Sequence, residues 1–77
     1  MIQDVTDEEL LVDIFNTERE ADAYFNIATG FAVLSQLPEN EGDQKLPYLH
    51  RSYVDSEERC RLFLKQLLKL KTERGLT

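Results

Sequence analysis

Residues 23–38 read AYFNIATGFAVLSQLP, sixteen positions without a charged side chain in a 77-residue chain that is 31% charged. How this stretch is covered decides the fold. Ala21, Tyr24, Ala28, Phe31 and Ser35 fall on one stripe at spacings of three and four. Phe25, Ile27, Ala32 and Leu34 widen the stripe to most of the circumference. A helix apolar on nearly every side is buried, either centrally in a bundle or in an interface. A membrane span fails on length, since it needs about 20 apolar residues, and this run holds Asn26, Thr29, Ser35 and Gln36. Gly30 is about 1 kcal/mol worse than alanine inside a helix. It marks either close packing at that point or a neutral position.

Upstream, Thr6-Asp7-Glu8-Glu9 has the form of a capping box. The Thr6 hydroxyl is placed to accept from the Glu9 backbone N–H, and the Glu9 carboxylate to reach back to the Thr6 N–H. Acids in this turn suit the positive end of the helix dipole. Leu10, Leu11, Ile14 and Phe15 follow at helical spacing. The apolar pattern then pauses over residues 16–20, which contain a second box, Thr17 to Glu20. One helix over 7–36 fits, but a break near Asn16 is favoured, giving helices over 7–15 and 17–36.

Downstream, Pro38 ends the uncharged helix, and 38–46 is an acidic, turn-rich loop. Leu46 is expected to be extended before Pro47, and Pro47 to open a helix over 47–74. Leu49, Tyr53, Ser56, Cys60, Phe63, Leu67, Leu70 and Arg74 alternate spacings of four and three, which suits packing along another long helix. Leu64 and Leu68 broaden the row, and Asp55 to Glu58 offers a possible restart. Lys69, Lys71 and Arg74 sit in the last turns, and Gly75 stands where a terminating glycine belongs. Strand patterning is absent.

Seventy-seven residues make a single small helical domain. A chain this short buries only about 60% of the surface of its unfolded state, so it needs a staple. Cys60 is the only cysteine, which rules out an internal disulfide, and with His50 it falls short of a structural zinc set. Self-association is the remaining route. The acidic start lacks a secretory signal, and one unpaired thiol fits a reducing cytoplasm. From Met1 to Thr77 the chain reads as a complete small frame of the kind common in bacteria and phages.

The net charge of −6 is unevenly spread. Residues 1–44 hold eleven acids against Arg19, giving −10. Residues 45–77 hold eight bases against four acids, giving +4. The halves are complementary within a hairpin or between antiparallel chains.

Chemistry is sparse. His50 and Cys60 are the one nucleophile–base candidate, but ten residues of helix separate them by roughly 15 Å. Asp7, Glu8, Glu9 and Asp13 read as caps and solvated face rather than a converging metal cage. The three glycines are isolated, so no phosphate loop forms. No catalytic residue, metal or cofactor is expected.

The expectation is therefore an all-α helical hairpin or three-helix arrangement that pairs into a homodimeric bundle. Ala21, Tyr24, Phe25, Ala28, Phe31, Ala32, Phe63 and Leu67 are the residues assigned to core and self-association. The functional expectation is a cytoplasmic, non-enzymatic regulator, adaptor or inhibitor that binds a partner protein. Two alternatives remain. Arg61, Lys65 and Lys69, four apart on one helix face, form the kind of stripe that tracks phosphates. The acidic half would instead imitate a nucleic acid.

Overall fold

Thr6 starts the first helix. Its backbone is extended (φ −71°, ψ 164°) and its hydroxyl oxygen accepts from the Glu9 N–H at 3.1 Å. The Glu9 carboxylate accepts from the same hydroxyl at 3.0 Å rather than from the Thr6 N–H. In a computed structural model describing residues 4–76, two 29-residue helices follow, α1 (Asp7–Ser35) and α2 (Lys45–Glu73). They pack antiparallel as a helical hairpin. A 3₁₀ turn over Pro38–Asn40 lies between them, and the described residues include no strand.

The break expected near Asn16 does not occur. Leu10, Ile14, Thr17, Ala21 and Ala28 are buried along one seam of α1, at the four–three spacing of a helix packed lengthwise on another. The polar run 16–20 interrupts the sequence pattern but not the seam. Thr17 alone faces inward, at 7% exposure, while Asn16, Glu18, Arg19 and Glu20 are exposed. A β-branched residue with one hydroxyl fills the position an apolar residue would take, and the helix runs through.

The connection spans 36–44, two residues earlier than the loop expected over 38–46. The Asn40 side-chain amide donates to the Leu34 carbonyl at 2.9 Å, adding to the 3.3 Å bond that this carbonyl accepts from the Leu37 N–H at the end of α1. The Asp43 carboxylate, one residue before the N-cap Gln44, accepts from the Lys45 N–H, the first of α2, at 2.8 Å. Leu46 is helical rather than extended. Pro47 falls in the first turn, where the N–H that proline lacks has no intrahelical partner anyway. No restart occurs at Asp55.

At the far end, the Leu76 N–H donates to the Lys71 carbonyl at 3.1 Å and the Gly75 N–H to the Thr72 carbonyl at 3.0 Å. This is a Schellman termination, with Gly75 at φ 73° where a side chain is disfavoured. It turns Leu76 back onto the core. Leu10, Ile14 and Leu67 form that core, with Val5, Leu64, Leu70 and Leu76 packed against it. The core therefore sits at the open end of the hairpin, next to both termini.

Phe63 is 45% exposed in the hairpin, and its neighbour Leu64 packs against the core. The two side chains lie about 100° apart on the helix, so Leu64 enters the core while Phe63 lines a groove at its edge with Asn16 and Glu20 of α1. Towards the loop the contact is aromatic. The Tyr53 ring lies 5.6 Å from Phe31, nearly parallel at 15°, and 6.1 Å from Tyr24 at 37°.

The hairpin is long and thin, with extents of 52 × 18 × 14 Å and a Cα radius of gyration of 16.6 Å. A compact domain of this length has a radius of about 11.5 Å. The chain exposes 5928 Å², against about 4,850 Å² for a typical folded monomer of 9.0 kDa. The difference is roughly 1,100 Å². Two helices side by side can each cover only one face of the other.

Candidate functional site

Ala21, Ala28 and Leu67 are buried between the two helices. Tyr24, Phe31 and Ala32 are half-buried, and Phe25 is 52% exposed. The stripe that stood out in the sequence is therefore occupied by the chain's own α2. What remains outside is the rest of the uncharged segment. Phe25, Ile27, Val33 and Leu34 are all exposed large apolar residues, and Ala23 and Gly30 are exposed beside them. A Cβ built on Gly30 meets nothing within 4 Å, so no close packing inside the chain accounts for this glycine. Further apolar exposure flanks the open end, at Leu11 and Phe15 of α1 and Leu62 and Leu68 of α2.

Charge is segregated along the hairpin. Arg74 donates to Asp7 at 3.0 Å and Arg61 to Asp22 at 3.5 Å, both joining α2 to α1 between residue 22 and the open end. The acidic half of α1 thus lies beside the basic half of α2. Nearer the loop, α1 carries no charge from Ala23 to Ser35. Arg61 also holds Glu57 at 2.6 Å. That hydrogen bond is the main reason its guanidinium sits above its ordinary pKa, outweighing desolvation, with charge attraction and the Asp22 bond adding to it. Lys65 and Lys69 are exposed along the same row. The stripe proposed for phosphates is therefore headed by a residue already bound to two carboxylates of its own chain.

His50 and Cys60 are both half-buried on α2, ten residues apart. Among the described residues, no group of three His, Cys, Asp or Glu side chains is placed to hold a metal ion. One concavity is lined by α2 alone, including Tyr48, His50, Arg51 and Asp55, and is an open shelf along one helix. A second lies between the helices, with Asn16, Glu20, Arg59, Cys60 and Phe63 among its walls. Among the described residues, no helix is long and apolar enough to cross a membrane.

Comparison of the chain with known protein families, curated proteins and solved structures found no match.

The exposed apolar surface is only partly legible in the sequence. The uncharged run was legible, but its division into an inner stripe and two outer flanks was not. The spacing 23, 27, 30, 34 was present in the sequence, parallel to the stripe at 21, 24, 28, 31.

Proposed function

We propose that this chain is a small, non-enzymatic protein-interaction module that self-associates through its uncharged central helix and binds a partner protein. The observation carrying this reading is the exposed apolar surface of α1 between Ala23 and Leu34, on a helix whose other face is already used by α2. Monomeric proteins rarely leave contiguous apolar surface of more than a few hundred Å² in water, and larger patches mark interaction sites. A regulator, adaptor or inhibitor works by occupying a surface, which needs shape and apolar area rather than reactive groups. The remaining exposed residues, Leu11, Phe15 and Leu62 among them, offer contacts beyond those of self-association.

The nucleic-acid readings have less support. Arg61 binds Glu57 and Asp22, while Asp7 and Asp22 of the acidic half are engaged by Arg74 and Arg61.

Light scattering on a sizing column, at low and moderate salt, tests the reading. A salt-insensitive mass of about twice the 9.0 kDa chain is the expected result. A monomer at all concentrations removes self-association. Steeply salt-dependent retention on DNA or RNA would instead favour the basic face.

A further inference from the structure

We infer that the occupant of the exposed α1 surface is a second copy of this chain, bound antiparallel along the row Ala23, Ile27, Gly30 and Leu34. This deepens the self-association reading and rests on it. The row has the four–three–four spacing of a lengthwise helix contact. Ile27 and Leu34 are 41% and 42% exposed, and Ala23 and Gly30 are exposed between them.

Area supports a second copy as the occupant. The hairpin exposes roughly 1,100 Å² beyond a folded monomer of its mass, and a standard interface takes about 800 Å² from each partner. One symmetric contact brings the surface back to the ordinary range.

Size selects the row. The row through Phe25 holds no glycine, and its nearest acid, Asp22, lies one turn from Phe25. On the Ile27 row the nearest acid, Glu20, lies two turns from Ile27, and Gly30 leaves room for a side chain of the second copy. The row through Ile27 is uncharged from Ala23 to Leu34. Glu20, one step before Ala23 on the row, shares a groove with Arg59 and Phe63.

Charge and size together select the direction. A parallel pairing would set Glu20 against Glu20 and align the two −10 halves, whereas an antiparallel pairing centred between residues 28 and 29 sends those halves to opposite ends. In that register Ile27 of each copy faces Gly30 of the other, and Leu34 faces Ala23. Each large side chain meets a small one, and the space over Gly30, empty within 4 Å of a built Cβ, receives Ile27. The two-fold axis makes every contact occur twice. Overlap over residues 20–37 spans about 25 Å of helix.

The test is a concentration series by light scattering on the full chain and three variants, with helicity checked by circular dichroism. Ile27→Glu is expected to weaken the dimer about thirtyfold or more, as burying a hot-spot truncation or charge does, while staying helical because Ile27 is exposed in the hairpin. Gly30→Leu is expected to do the same by filling the gap. Phe25→Glu is expected to leave the dimer intact. A dimer that resists Ile27→Glu but falls to Phe25→Glu overturns this inference and leaves self-association standing. A wild-type monomer overturns both. Register is read separately by disulfide formation in a Cys60→Ser background. A mixture of Ile27→Cys and Gly30→Cys proteins is expected to cross-link faster than either alone. Faster cross-linking of Ile27→Cys with itself means a parallel pair or a different antiparallel register and sinks the proposal.

Discussion

The Tyr53 ring lies against two residues of α1 at once, stacked on Phe31 at 5.6 Å and tilted against Tyr24 at 6.1 Å. Tyr24 and Phe31 are seven residues apart, two turns of one stripe, so one α2 side chain fills the gap between them. Small residues surround this contact on α1, with Ala21 and Ala28 fully inside. The loop half of the hairpin therefore depends on three aromatic rings where the open half has a leucine core. Tyr53→Ala is expected to lower stability by about 2–3 kcal/mol, below the cost for a fully buried aromatic because Tyr53 is half-buried. Tyr53→Phe keeps the ring and should change little. Urea unfolding followed by circular dichroism separates the two outcomes.

Leu67 and Leu62 are five residues apart on α2 and have opposite environments. Leu67 is 0% exposed in the core with Leu10 and Ile14, whereas Leu62 is 63% exposed. Leu67→Ala is expected to cost about 3–5 kcal/mol, a large share of what a 77-residue helical protein has. Leu62→Ala should stay within about 0.5 kcal/mol. Equal losses in denaturant titrations would mean that Leu62 is also buried, in a contact outside the single chain.

Both ends of the hairpin are held by local signals. Thr6→Ala removes the oxygen that accepts from the Glu9 N–H and should destabilise by about 1 kcal/mol. Gly75→Ala forces a side chain into a left-handed conformation at φ 73° and should cost about 1 kcal/mol, a thermal midpoint shift of about 4–8 °C. Thermal melts of each variant check these values. No change at Gly75 would show that Leu76 does not need the Schellman turn to reach the core.

Gly30 should behave in the opposite way inside the lone hairpin. Nothing lies within 4 Å of an added Cβ and the position is mid-helix, so Gly30→Ala is expected to stabilise by about 1 kcal/mol. The measurement belongs in an Ile27→Glu background, where only the single hairpin is present. A loss of stability there would place Gly30 in a close contact inside the chain.

Much of the fold was legible because its signals are local. A threonine followed three residues later by glutamate, acids in the first turn, a proline after the uncharged run and a glycine after the last lysines mark helix ends through backbone hydrogen bonding close at hand. Apolar periods of three and four then give two long helices, and short chain length gives a hairpin. The exceptions each depended on a neighbouring helix. Asn16 and Thr17 look like a break when read along the chain, yet α2 meets only Thr17. Phe63 and Leu64 are adjacent and both apolar, and only the position of α1 decides which enters the core.

The same division holds for the candidate surface. The sequence by itself determined that residues 23–38 lack charge and that their apolar residues spread over most of a helix circumference, because apolar composition and helical period are properties of the chain alone. Only the tertiary structure decided which side is already shielded. One partner helix contacts one stripe. Choosing Ala21, Ala28 and the Tyr24–Phe31 pair for that stripe left Ala23, Ile27, Gly30 and Leu34 facing outward.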